Sequence, residues 1–354
     1  MITTHIETLK YRRADDHSST LAAPQTPGLQ DQYSRNINYL RISLTDVCNL
    51  RCVYCMPESM TFKPDPEMLQ LDEFEALIKI FAKLGFNKFR YTGGEPTLFK
   101  ALPTLIKHVQ DAAPDAFQAL TTNGITLAHL AAPLRDAGVQ RVNISIDTLH
   151  PGRYRDITRW GRLQDALDGL DAAERAGLQV KINAVVVRGW NDKDDVIELA
   201  KLSQHKPWQI RFIELMPFGG GMHSFQQDRI VSEQELRDRI SAALGPLELQ
   251  NNGTLDGEAR VFALHGAKGS LGFISSVTAP FCASCNRARL TADGKLRLCL
   301  LRPDEIDLRT PLRQGQSVTD MNAHIRKAIF RKPWGHGLDQ NEFATDRVMS
   351  EIGG

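Results

Sequence analysis

The chain has 354 residues, 42% hydrophobic and 24% charged, with 43 lysines and arginines against 42 acidic residues. That is ordinary globular composition for one large domain with an appendage, or for two domains. A net charge of +1 gives no electrostatic case for nucleic acid or a membrane surface, and no run of about 18 apolar residues predicts a span.

Residues 1–36 are polar, mixed in charge and without period, and read as a disordered arm. MITTHIETLKYRRADDHSST has no apolar signal core, so the predicted location is the cytoplasm. Apolar strand-like runs then recur at 40–45, 88–92, 117–121, 140–146, 178–187 and 209–215. Between them lie helix-period segments such as DEFEALIKIFAKLG and LQDALDGLDAAERAG, several closed by a glycine (Gly85, Gly138, Gly177) as a C-cap requires. Six β-then-α units predict an α/β fold with a parallel sheet. Six rather than eight suggests a partial (βα)6 TIM-type barrel over 37–244, open on one side, with a doubly wound sheet as the competing geometry. After a helix at 232–244, short runs (ARVFALHG, LGFISSV, ARLTADGKLRLCL) and an Asp293-Gly294 hairpin signal replace the βα pattern. Residues 245–354 therefore read as an extension of short antiparallel strands closing the open side, with a helix around 320–330 and a glycine-rich tail.

In either geometry the working residues belong at the C-terminal ends of strands. There the sequence places a cysteine loop, Gly93-Gly94-Glu95-Pro96, Thr121-Thr122-Asn123-Gly124, Ser145 with Asp147, and Glu214 with Met216. Each alone is ordinary turn chemistry; their coincidence at successive strand ends is not.

The six cysteines form two triads. Cys48, Cys52 and Cys55 are spaced C-x3-C-x2-C, and Cys282, Cys285 and Cys299 are spaced C-x2-C-x13-C. Clustered thiols in a reduced compartment point to metal rather than disulfides. Three ligands are one short of a structural zinc or a closed iron–sulfur site, so each triad suggests a centre with an exchangeable position. Zinc stays a rival: no histidine lies between His17 and His108 for the first triad, but His265 is available to the second.

Cations also stand where a core should be. Arg41 and Lys181 sit inside apolar strand runs, Arg90 precedes the GGEP turn, and Arg287 and Arg289 flank Ala288. Either each snorkels outward, or they converge on a multiply charged anion such as a triphosphate. No G-x-x-x-x-G-K-[ST] loop is present to hold phosphates instead.

The first triad, with Tyr54 before its third cysteine, resembles the cluster motif of the radical S-adenosylmethionine (SAM) superfamily. Together with the GGEP turn, the CNRARLTADGKLRLCL hairpin and a terminal Gly-Gly, it resembles the GTP 3′,8-cyclase family of molybdenum cofactor biosynthesis, from about Arg41 to Gly354. The resemblance implies two 4Fe–4S clusters, one per triad, the first chelating SAM. It implies that a 5′-deoxyadenosyl radical takes hydrogen from C3′ of GTP, giving (8S)-3′,8-cyclo-7,8-dihydro-GTP. Carried over, it assigns Tyr54, Gly94, Ser145 and Met216 to SAM. It assigns Arg41, Arg90, Thr121, Lys181, Arg287, Ala288 and Arg289 to GTP, and a catalytic part to Arg287, Gly353 and Gly354. The implied partners are a flavodoxin- or ferredoxin-like electron donor and a downstream cyclic pyranopterin monophosphate synthase, with the enzyme a monomer or homodimer. Val47 departs from the arginine common in the family before the first cysteine. The rivals are another radical SAM enzyme with an auxiliary cluster, and a zinc-binding regulatory protein.

Overall fold

A computed structural model describes residues 29–217, 227–338 and 347–353. Strands β1 (Tyr39–Ser43), β2 (Lys88–Thr92), β3 (Phe117–Thr122), β4 (Arg141–Ser145), β5 (Gln179–Val186) and β6 (Gln209–Glu214) pair in parallel, in consecutive order. Between successive strands run α1 (Leu71–Lys83), α2 (Leu102–Ala112), α3 (Leu127–Ala137), the pair α4 (Pro151–Thr158) and α5 (Leu163–Arg175), and α6 (Asp194–His205); α7 (Glu233–Leu244) follows β6. Unbroken order excludes the doubly wound arrangement, whose order reverses at a switch point. Local chemistry sets the helix ends. The Gln70 amide N–H donates to Glu73 at 2.8 Å to start α1, and Gly138 at φ 122° stops α3.

The alternation within each strand explains the misplaced cations. Leu40, Ile42, Phe89, Leu120, Val142, Ile144, Ile182, Ile210 and Phe212 face the helices and join one core with Phe74, Leu77, Leu105, Leu134 and Leu199. The residues between them line the other, concave face. Arg41 registers with Arg90, Thr121 with Asn143, Asn143 with Lys181, and Asn183 with Arg211. A period of two places every charge of LRISL and VKINAVV on one side.

The C-terminal part adds β7 (Leu247–Leu249), β8 (Arg260–Leu264), β9 (Ser270–Ile274), β10 (Arg287–Leu290), β11 (Lys295–Arg297) and β12 (Glu305–Asp307). The sheet order is β12-β11-β10-β1-β2-β3-β4-β5-β6-β9-β8-β7. The extension is antiparallel within itself, as expected, but it joins the sheet differently. β9 pairs with β6, and β10 with β1, both in parallel. The sheet is thus lengthened at both edges, and no closed barrel forms among the described residues. α8 (Val318–Phe330) packs its Met321, Ile325 and Ile329 into the same core.

The arm expected to be disordered to residue 36 is folded from Leu29 onward, since Leu29–Gln30 and Asn36–Ile37 pair antiparallel. Residues 1–28 lie outside the described residues. No helix among those described is long and apolar enough to cross a membrane.

Candidate active site

The loop after β1 carries the first triad, and the GGEP turn is built onto it. The Gly94 N–H donates to the Thr45 carbonyl at 2.7 Å, and the Glu95 N–H to the Val47 carbonyl at 2.8 Å. A Cβ on Gly94 would stand 2.3 Å from the Val47 carbonyl oxygen, so only glycine permits this approach. The buried Glu95 carboxylate accepts from the Thr97 hydroxyl at 2.6 Å, the Thr122 hydroxyl at 2.7 Å and the Asn123 N–H at 2.8 Å. One side chain thereby ties the ends of β2 and β3 together. Tyr54 donates its phenol proton to Asp147 at 2.7 Å, and Asp147 also accepts the Val185 N–H at 2.8 Å. Burial pushes the Asp147 carboxyl up to about 6 despite those bonds. This tie brings the cysteine loop to the end of β4, where Ser145 lies.

Burial, then the nearby Glu95 carboxylate, pushes the Cys48 thiol up to about 11; burial, then Cys48, pushes Cys55 up to about 12. Such thiols become thiolates when a metal replaces the proton.

The second triad lines a cavity of about 570 Å³ including its mouth, together with Met216, Arg287, Arg289, Lys332 and His336. Burial raises Cys282 to about 11. Burial would also raise Cys285, but Arg287 and Lys332 outweigh it and bring that thiol to about 6. Lys332 donates from Nζ to the Arg287 carbonyl at 2.9 Å. Arg35, held by Asp31 at 2.6 Å, donates to the carbonyls of Cys282 at 2.7 Å and Pro333 at 2.6 Å, clamping the N-terminal hairpin onto this loop. His265 does not complete the triad. Its side chain is 90% exposed and 3.5 Å from Glu248; His336 is the histidine at the cavity. Among the described residues no three Cys, His, Asp or Glu side chains gather tightly enough for a single ion. A tetrahedral zinc would hold its sulfurs about 3.8 Å apart.

Arg41, Arg90, Lys181, Arg287 and Arg289 are all buried on the concave face. Burial lowers Arg41 to about 10 and Lys181 to about 7, the second helped by the Arg211 and Arg141 cations. Burial, then Arg41 and Arg287, holds Arg289 well below its usual value. The same face carries buried polar atoms with no hydrogen-bond partner among the described residues: Arg90 Nε, Thr121 Oγ1, both amide atoms of Asn143, and Asn183 Oδ1. Orphaned polar atoms are rare in a folded chain and here share one concavity, as a ligand site requires. Ala288 is not in this set: it lies between Arg287 and Arg289 with its Cβ in the helix-side core, leaving only its backbone for a ligand.

The C-terminal tail lies between the triads. Arg347 anchors it to Asp293 at 2.9 Å and Glu305 at 2.7 Å. The Ser350 N–H bonds Cys55, and Ile352, 1% exposed, packs with Met216, Cys299 and Leu301. Gly353, at φ 69°, would bring a Cβ within 2.1 Å of Thr92 Oγ1, and its carbonyl accepts from Arg289 Nη1 at 2.8 Å. Gly354 lies outside the described residues. The sequence reading overlooked Arg211, Asp256, Glu258, Lys332, Arg35 and Arg347. Arg211, inside the apolar run QIRFIE, carries the same signal that singled out Arg41.

The radical SAM superfamily matches residues 42–202, and the molybdenum cofactor synthesis C family matches residues 208–338. The fold is similar to that of Streptococcus suis SuiB bound to S-adenosylmethionine (TM-score 0.56, 13% identity, 87% of this chain and 69% of that one). It is also similar to methylornithine synthase PylB (TM-score 0.51, 16% identity, 81% and 86%). A partial barrel with a three-cysteine loop after its first strand defines a radical SAM protein, a class that uses S-adenosylmethionine and a 4Fe–4S cluster. Over 328 residues the chain is 46% identical to GTP 3′,8-cyclase of Pelotomaculum thermopropionicum, covering 92% of this chain and all of that one. It is 45% identical over 329 residues to that of Heliobacterium modesticaldum (92% and 99%). The chain belongs to the GTP 3′,8-cyclase family.

Proposed function

We propose that the chain converts GTP to (8S)-3′,8-cyclo-7,8-dihydroguanosine 5′-triphosphate, the first step of molybdenum cofactor biosynthesis. The observation that carries this reading is the concave face itself: buried cations and unsatisfied polar atoms beside two incomplete thiol triads. When bound, the cluster and SAM at Cys48, Cys52 and Cys55 supply the radical that removes a hydrogen atom from the ribose. Everything else is positioning.

Arg41, Arg90, Lys181, Arg287 and Arg289 hold the triphosphate by charge-assisted bonds, and Thr121 offers its free hydroxyl to the nucleotide. Tyr54, fixed by Asp147, shapes the SAM side with Gly94 and Ser145. Met216 joins it from the second-triad cavity. Cys282, Cys285 and Cys299 hold a second 4Fe–4S cluster for the guanine end, with Lys332 and Arg287 supplying positive charge against its thiolates. Residues 37–244 thus serve SAM and part of the triphosphate, and residues 245–354 the substrate base and the rest of the triphosphate. Ile352 keeps water from the space between them, and Gly353 brings bare backbone close to Arg289 and the nucleotide. The electron comes from a flavodoxin- or ferredoxin-like donor in the cytoplasm, and the product passes to a cyclic pyranopterin monophosphate synthase.

The test is anaerobic incubation of reconstituted protein with GTP, SAM and dithionite, followed by product mass. About eight iron atoms per chain, with acid-labile sulfide, are expected. Colourless protein containing zinc, or SAM cleavage without cyclised nucleotide, would reject the assignment.

A further inference from the structure

The cations of the concave face already have an anion among them. The turn before β8, closed by an Asp256–Ala259 bridge, presents two carboxylates to residues near the N-terminal ends of the strands. Asp256 pairs with Lys181 and accepts from Gln209 at 3.3 Å. Glu258 goes deeper and is buried. One of its oxygens lies 2.7 Å from Arg287 Nη1 and 3.9 Å from Arg41 Nη1; the other accepts from Arg211 Nη2 at 3.1 Å. Three strands thus converge on one carboxylate: β1, β6 and β10.

Two of these arginines are ones assigned above to the triphosphate. A carboxylate between guanidinium groups offers the same paired-oxygen geometry as a phosphate. Burial by itself would raise the Glu258 carboxyl, but Arg287 and Arg211 hold it well below the usual range, so it stays ionised. Buried arginines without a counterion would be costly, so an empty site needs this charge. A phosphate entering the cluster meets it as a like charge.

We propose that Glu258 is the chain's own stand-in for a nucleotide phosphate. It fills the arginine cluster in the empty enzyme, competes with the incoming phosphate, and so sets how much affinity each phosphate contributes. This rests on the reading that Arg41 and Arg287 take the triphosphate. Glu258 is a specificity-determining residue, and its release from Arg287 and Arg211 accompanies substrate binding.

The test uses reconstituted enzyme with SAM, titrated calorimetrically with inorganic tripolyphosphate and separately with guanosine. Glu258→Gln and Glu258→Ala should bind tripolyphosphate about tenfold or more tightly than the unsubstituted enzyme, with guanosine affinity within about twofold. Should either variant be too unstable to titrate, the rise in melting temperature caused by tripolyphosphate is read instead, and it must exceed that of the unsubstituted enzyme. Equal or weaker tripolyphosphate binding in both variants, or an equal or smaller rise, overturns the proposal and leaves Glu258 a structural counterion. Arg287→Ala separates the two levels. If it leaves tripolyphosphate binding unaltered, the triphosphate reading has failed. If it weakens binding while the Glu258 variants do not tighten it, only the stand-in role has failed.

Discussion

Replacing Gly353 by alanine tests the placement of the C-terminal tail most directly. The residue sits at φ 69° with its would-be Cβ 2.1 Å from Thr92 Oγ1 and 3.3 Å from Ser43 Cβ. The left-handed conformation alone costs an alanine about 1–2 kcal/mol. Relieving the overlap takes either a turn of Thr92 Oγ1 off the Ile42 carbonyl it donates to at 3.1 Å, or a shift of Gly353 that breaks the Arg289 bond to its carbonyl, about 1.5–3 kcal/mol for a charged donor. With the shift of Gly353 these reach about 2.5–5 kcal/mol, against about 1.5–3 kcal/mol from burying Ile352. The tail from Ser350 onward should therefore detach while the barrel stays folded, because Gly353 belongs to no strand. Hydrogen exchange at the Ser350 amide, bonded to Cys55, should accelerate about a hundredfold or more, and cyclised product should be lost while SAM still binds. Gly315→Ala is the control: φ is 74°, but nothing lies within 4 Å of its Cβ. Unchanged Ser350 exchange and full product yield in Gly353→Ala would refute the reasoning.

Cys52→Ser should abolish SAM cleavage, whereas Cys285→Ser should leave uncoupled cleavage without cyclised nucleotide; normal yield from Cys285→Ser would rule out that division of labour. Arg289→Ala should weaken GTP by about 1.5–3 kcal/mol with SAM affinity retained, and an equal loss for guanosine would show that the arginine does not touch phosphate. Lys181 has its pKa lowered by burial to about 7 from 10.5. Between those values the unfolded chain holds the proton and the folded one does not, so this group's contribution to stability rises with pH across that window and is flat above it. A bound phosphate recharges the amine, so at pH 8 Lys181 should add proton uptake to tripolyphosphate binding, read from the buffer dependence of the binding heat. Lys181→Arg should lower the uptake relative to the unsubstituted enzyme, and an unaltered uptake would reject the pairing.

The six βα units and the residues at their C-terminal ends were legible because hydrophobic period and turn chemistry are local. Arg41 and Lys181 were legible for a related reason: charge inside an apolar alternation is anomalous wherever the strand goes. Glu258 was not, since GTLDGEARV reads as a polar turn, and only the pairing of β9 with β6 and β10 with β1 brings that turn to the arginines. His265 misled because sequence gives donors without distances; the turn that carries it faces solvent. Ala288 shows the limit of carrying roles residue by residue, as the strand period turns its side chain from the cations beside it. Residues 29–36 looked disordered because their hairpin depends on Arg35 reaching carbonyls about 250 and about 300 residues away.

The parallel pairing of β10 with β1 bears on how the chain is made. During synthesis from the N-terminus, β1 forms early, yet its outer partner emerges about 250 residues later. Until then one edge of a growing parallel sheet is a row of unpaired amides and carbonyls, open to the neighbouring nascent chain. The other edge waits for β9 beside β6. Such long sequence separations make closure slow. A chain cut after α7, where the composition invites a boundary, would leave both edges bare. It should aggregate rather than fold as a smaller barrel, and the thiols of the first triad would be left on a sheet that has not been completed.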